Sequence, residues 1–305
     1  MEHTTVKEKI AEKVTHFAKH MVLFLKWMLI AVITGCAVGI ISSLFALLLG
    51  KVTALRTANS WLIFCLPLAG LLIVFLYRRM LGEDGGTNLV LSTIHAREDL
   101  PWVMAPLIFC ATLLTHLFGG SAGREGAALQ LGGSIGVAMS RALKPHGDNR
   151  RIFQLCGMAA LFSALFGTPL AATIFVIEII DIGRINHRAL LPCLISALTA
   201  KLVAIAIGAP AEAFPLASGL AEATGLTLLQ SAGVGLCCGV VAILFCYAMH
   251  GAGRYLRKAI PNDFLRIAFG GATVALLAAG FLLTGRVHPA ASIACSARPR
   301  SLSSP

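Results

Sequence analysis

Charge is what this sequence has least of. Only 13% of its 305 residues are Asp, Glu, Lys or Arg, where soluble globular chains carry about a quarter. Aromatic residues are also sparse, at 7%, with three Trp and three Tyr. With 57% hydrophobic residues and a mean hydropathy of +0.83, the chain holds more apolar surface than a water-soluble core can hide. Lipid is the solvent that fits. No run alternates apolar and polar residues with a period of two, so strands are not expected. No basic stripe is interleaved with aromatics, which removes nucleic acid as a partner. Nine cysteines are present, but no pair has zinc-ligand spacing. Cys36, Cys65, Cys110, Cys156 and Cys237–Cys238 lie inside apolar runs and read as small lipid- or core-facing residues. No metal or cofactor is expected, and no cleavable signal peptide is visible.

What is present is a series of apolar runs with basic residues between them. The formal charge of +11 comes largely from positions such as Arg78–Arg79, Arg150–Arg151 and Arg254 to Lys258, which read as topology-setting charge on cytoplasmic loops. The first twenty residues form an amphipathic, Lys-rich segment, with Val6, Ile10, Val14 and Phe17 near one face. This predicts a cytoplasmic surface helix over 1–20 ahead of the first span. Met21 to Val52 exceeds the roughly twenty residues a bilayer needs, so the first span is long or tilted. Trp61 to Tyr77 is the second span. Apolar runs then recur over 101–118, 127–143, 152–165, 169–180, 190–207, 228–249 and 267–283, with a short helix-like run over 89–95. Several are too short to cross upright and are broken by Gly-rich turns. Broken helices at membrane depth occur where they line a cavity or are buried in protein, and transporters aim such half-helix N-termini at the substrate. Small-residue pairs, Gly35/Gly39 and Gly235/Gly239, suit close helix packing. The expected architecture is all-α: a polytopic membrane bundle over 21–285, with broken and re-entrant helices, followed by an aperiodic, disordered or aberrant tail over 286–305.

Three segments carry candidate chemistry. The first, Gly119 to Gly136, reads GGSAGREGAALQLGGSIG and places Arg124 and Glu125 between glycines at a helix start. Ionisable residues at such depth mark functional sites. Glycines let backbone approach a small ion, and the positive helix end attracts an anion. A carboxylate there would occupy the anion's own place until protonated, which describes both a gate and a proton carrier. The bland alternative is a helix-capping Glu125 beside a snorkelling Arg124. The second segment, Gly85 to Leu89, is another Gly-rich approach to a short helix, where amides and the Thr87 hydroxyl could hold an anion; an ordinary N-cap is the competing reading. The third, Gly167-Thr168-Pro169-Leu170, opens a helix that ends near Glu178 and Asp181, both read as solvated carboxylates.

These residues resemble the CLC family of chloride channels and anion/proton antiporters. Gly123 to Ala127, GREGA, is similar to the family's G-R/K-E-G-P segment. Thr168 to Glu178, TPLAATIFVIE, is similar to its A-P-L-A-G-x-x-F-x-x-E helix, and GGTNL, Gly85 to Leu89, stands where the family usually has G-S-G-I-P. The resemblance covers roughly Met21 to Gly285. It implies that Glu125 is the gating and proton-coupling glutamate. It also implies that Gly123, Arg124, Gly126 and Ala127 flank the ion with their amides, and that Gly86, Thr87 and Asn88 belong to the central anion site, Thr87 in place of the coordinating serine. Thr87, Asn88–Leu89 and Ala127 together resemble the fluoride-exporting bacterial branch. Ile179 stands where many proton-coupled members carry an internal glutamate. The family consists of two inverted-topology halves; this sequence supplies the first half and part of the second, without the second-half G-x-F-x-P segment or the late tyrosine ligand, and reads as a truncated copy.

The function expected is therefore transport of a small inorganic anion, fluoride or otherwise chloride, in exchange for protons. The resemblance implies a bacterial inner-membrane homodimer and no enzyme activity. Two rival readings stand beside it. One is a CLC fragment that inserts into the membrane without transporting. The other is an intramembrane serine hydrolase, because Gly119 to Gly123 matches G-x-S-x-G around Ser121, with His116 nearby.

Overall fold

The computed structural model describes residues 2–81, 103–120, 123–143, 150–180, 187–209, 211 and 224–283. The expected anion residues Gly86, Thr87 and Asn88, the short run over 89–95 and the tail from 286 lie outside the described residues. Within them the chain is helical: α1 (Glu2–Ala58), a 3-10 segment (Ser60–Cys65), α2 (Leu66–Leu81), α3 (Met104–Leu117), α4 (Arg124–Leu143), α5 (Arg150–Phe166), α6 (Pro169–Ile180), α7 (His187–Ile207), α8 (Gly225–Ala259) and α9 (Asp263–Leu283). No strand occurs among the described residues, as the absence of period-two alternation requires. Among the described residues, five helical stretches are long and apolar enough to cross a membrane, Glu12–Ala58, Ser60–Leu81, His187–Ile207, Gly225–Ala259 and Asp263–Gly280, while Met104–Leu117 and Pro169–Ile179 are shorter apolar helices. The all-α membrane architecture expected from the sequence is thus present.

Element boundaries differ from the hydropathy reading in instructive ways. The surface helix over 1–20 and the first span are one unbroken 57-residue helix. At 1.5 Å per residue it is about 85 Å long, far more than a hydrocarbon core of about 30 Å; nothing in the sequence at 20/21 is a helix breaker, so the helix continues. Helix α4 begins at Arg124 rather than at Ala127, which puts Arg124, Glu125 and Gly126 in its first turn. Helix α8 extends beyond the apolar run in both directions. A capping box starts it: the Thr224 hydroxyl accepts from Thr227 N–H at 3.3 Å, and Thr224 N–H donates to the Thr227 hydroxyl at 2.8 Å.

The described chain divides into two compact units, one formed by 1–59 and 75–212, the other by 60–74 and 213–305. The first holds the core. Val38, Phe45, Met104, Leu131, Phe153, Leu155, Met158 and Leu161 are among its fully buried large side chains. Glycine sets the helix spacing. A Cβ on Gly132 would collide with Gly157 O, one on Gly157 with Gly132 O, and one on Gly136 with Phe153 O, so α4 and α5 touch backbone to backbone. Gly35 and Gly39 do the same for α1 on α7: a Cβ on Gly35 would lie 2.6 Å from Ser196 O, and one on Gly39 3.0 Å from Ala200 O. Hydroxyls bridge α5 and α7, from Ser163 to Ala197 O at 2.8 Å and from Ser196 to Cys156 O at 3.2 Å. Small residues and hydroxyl cross-links are what hold helices together where lipid removes the hydrophobic drive.

The second unit is looser. Gly271 packs on Pro67, with a Cβ there 2.9 Å from Pro67 Cα, and Gly70 faces Ile267. Helix α8, in contrast, buries none of its 35 residues. A Cβ on Gly235 or Gly239, expected to pack closely, would meet no atom of another described element within 4 Å.

Candidate functional site

The turn between α3 and α4 is built by its glycines. Helix α3 ends when Gly119 takes a φ of 75°, a left-handed conformation that side chains resist. The released amides fold back: Phe118 N–H donates to Leu114 O at 3.1 Å, Gly119 N–H to His116 O at 3.2 Å, and Gly120 N–H to Thr115 O at 2.8 Å. This is the C-terminal capping geometry of a helix closed by glycine. The chain then re-enters helix at Arg124.

Gly123, just ahead of α4, and Glu125 and Gly126 in its first turn are exposed, Arg124 and Ala127 are half-buried, and Ala128 to Val137 are buried. The first-turn N–H groups of α4 lie outside the helix's own i→i−4 ladder, and the helix dipole adds partial positive charge at that end. The Glu125 carboxylate turns toward this end: a Cβ on Gly123 would sit 3.5 Å from Glu125 Oε2. The five residues Gly123 to Ala127 are therefore together at one helix start, and a carboxylate lies where an anion would be attracted. His116, in the last turn of α3, donates from Nδ1 to Thr112 O at 2.9 Å.

The third sequence segment has a similar design. Gly167, φ 72°, ends α5 and donates to Ser163 O at 2.8 Å. Pro169 starts α6, whose Glu178 is exposed, while Ile179 is half-buried and packs on the core. Asp181 lies outside the described residues. So does Ser121, but the segment leading to it is helix α3, not the strand that a nucleophile elbow requires; the hydrolase reading loses its structural basis.

One nearby residue was missed by sequence reasoning. Arg56, in the last turn of α1, reaches the α3–α4 turn: a Cβ on Gly119 would meet its Nε at 2.5 Å and its Nη2 at 3.1 Å. Nothing in the local sequence of α1 signals that contact, because it depends on how α1 packs in the bundle.

Comparison with known proteins gives the chain a lineage. A chloride/fluoride channel protein of Pseudomonas syringae pv. tomato is 32% identical over 254 residues, covering 82% of this chain and 56% of its own. An H(+)/Cl(-) exchange transporter ClcA of Cronobacter sakazakii is 30% identical over 167 residues, covering 50% of this chain and 36% of its own. Among solved structures, a CLC-type fluoride/proton antiporter superposes with a TM-score of 0.77 at 32% identity, covering 85% of this chain and 65% of that one. A slow cyanobacterial Cl-/H+ antiporter shares the fold at a TM-score of 0.69 and 18% identity, over 83% of this chain and 63% of that one. The chain thus spans about half the length of the curated relatives it matches. The sequence profile described as voltage gated chloride channel matches residues 68–303, and the chain belongs to that family.

Proposed function

We propose that this chain moves fluoride across a bacterial inner membrane in exchange for protons, with Glu125 as both gate and proton carrier. The observation that carries the proposal is the position of the Glu125 carboxylate at the glycine-flanked start of α4, beside Gly123. Ionised, it holds the place of the anion; protonated, it releases it. Gly123, Arg124, Gly126 and Ala127 offer the amides of that helix end, and Gly86, Thr87 and Asn88 supply the second half of the anion site. The relative at 32% identity is a chloride/fluoride channel, and the superposed structure at the same identity is a fluoride/proton antiporter, which supports fluoride as the ion. A homodimer is part of the proposal, in keeping with the family resemblance.

Fluoride is small and strongly hydrated, so its site must return close hydrogen bonds for the water removed; helix-start amides do this, and larger chloride gains less from them. Purified chain in liposomes is expected to release loaded fluoride at least about tenfold faster than chloride, equivalent to about 1.4 kcal/mol of discrimination. Ion-selective electrodes measure both. Equal or faster chloride release rejects fluoride as the preferred ion.

One observation favours a second reading, in which the chain inserts but transports only within a larger assembly. Helix α8 is 35 residues long with no buried residue, and Leu229, Leu236 and Leu244 on it are 71%, 73% and 63% exposed. Absence of anion release from liposomes holding only this chain is the result that reading expects.

A further inference from the structure

Arg56 has no role in the reading above, yet it lies on the turn that reading depends on. Its guanidinium rests on the bare Cα of Gly119, since a Cβ there would stand 2.5 Å from Nε, 3.1 Å from Nη2 and 3.2 Å from Cζ. Nε is buried and has no hydrogen-bond partner, and no described carboxylate pairs with the group. A cation at the C-terminal end of a helix ordinarily serves its own last carbonyls. Arg56 makes no such bond; it is turned across to the α3–α4 turn instead. Holding a guanidinium partly out of water without a counter-ion is unfavourable, and the group's planar fork of donors suits an incoming anion. Arg124 stands on the other side of the same turn, at the start of α4, and the turn itself is held by Gly119 N–H donating to the His116 carbonyl.

We propose that Arg56 is a second fixed cation of the anion path, drawing small inorganic anions toward the α3–α4 turn ahead of Glu125 and holding that turn by stacking on Gly119. The inference rests on the anion-transport reading and adds a residue from a different helix to it. A fixed charge of this kind acts on the rate of anion capture rather than on coupling. Its influence is long-ranged at low ionic strength, where the screening length is about 30 Å at 0.01 M, and short-ranged at physiological salt, where it is about 8 Å.

The test is initial fluoride efflux from liposomes holding the full chain, at low and at physiological ionic strength set with a bulky impermeant salt. Arg56→Gln is expected to slow efflux about three- to tenfold at low ionic strength, with the gap closing as salt rises. Arg56→Lys keeps the charge and is expected to restore the salt dependence, while proton coupling stays unchanged in both variants. If Arg56→Gln and Arg56→Lys are slowed equally at every ionic strength, Arg56 is a structural residue and the proposal is overturned. If Arg56→Gln matches wild type throughout, Arg56 is outside the path, and the transport reading survives without it. If the unsubstituted chain shows no fluoride efflux, the transport reading itself fails and this inference falls with it.

Discussion

Replacing Glu125 with Gln is expected to reduce proton movement to the level of protein-free liposomes while the chain still folds. Glutamine keeps the size and hydrogen-bonding reach of a protonated glutamic acid but cannot titrate. At the start of α4 it would leave the anion's place open at every pH, because an uncharged amide gains nothing from the helix dipole that draws the carboxylate there. Fluoride would then run down its own gradient without protons moving in the opposite direction, and its rate would lose its dependence on pH. The check is parallel recording of fluoride by electrode and of lumenal pH by a trapped dye. Wild-type proton coupling in Glu125→Gln would make Glu125 a helix cap and nothing more. The local structure favours a clean outcome: Glu125 is exposed, so the substitution buries no new polar group.

The second large effect is structural. Gly157→Leu should cost about 3 kcal/mol and leave little monodisperse protein in detergent. The Gly157 Cα stands against Gly132 O, and even a methyl group there would collide with that carbonyl and lie 3.0 Å from Gly136 N. Backbone cannot yield as a flexible side chain can, so α4 and α5 must separate, and the Arg124–Glu125 turn at the head of α4 moves with them. Gly239→Ala on α8 is the matched control. It has open space around it, so it should be neutral or more stable by up to about 1 kcal/mol, the helix-propensity gain of Ala over Gly. Size-exclusion profiles and thermal melting in detergent separate the two. Equal behaviour of the two variants would contradict the packing described for α4 and α5.

Much of this was legible from residue order because lipid imposes simple rules. Apolar length located the helices, and glycine beside proline located their breaks: Gly167 and Pro169 end α5 and start α6 where hydropathy alone shows one continuous run. The Gly119–Gly123 turn was legible for the same reason, and with it the placement of Arg124 and Glu125 at a helix start. Hydropathy failed at helix ends, where polar residues extend an element without adding apolar signal. The α4 start at Arg124 and the long α8 are examples, and the Thr224/Thr227 capping box was a readable signal for the latter. Small-residue pairs proved ambiguous. Gly35/Gly39 meets α7 at contact distance, whereas Gly235/Gly239 meets no other described element, and sequence spacing carries no information about which neighbour exists. The closest approach of all, Gly132 and Gly136 on Gly157, carried the same i,i+4 signature within GGSIG. Arg56 was invisible because its partner, Gly119, belongs to another helix, and only packing brings them together.

The sign of a single pH change tests the proposed exchange of fluoride for protons by this chain. Liposomes holding the purified chain are loaded with fluoride and diluted into fluoride-free buffer at the same pH. Antiport carries fluoride out and protons in, so the lumen should acidify although no pH gradient was imposed. Passive leakage of hydrogen fluoride removes protons together with fluoride and makes the lumen more alkaline, so leak and antiport have opposite signs. Acidification well beyond protein-free liposomes, lost in Glu125→Gln, is the result this account predicts. A lumen that stays level with protein-free liposomes, or becomes alkaline as they do, would contradict it.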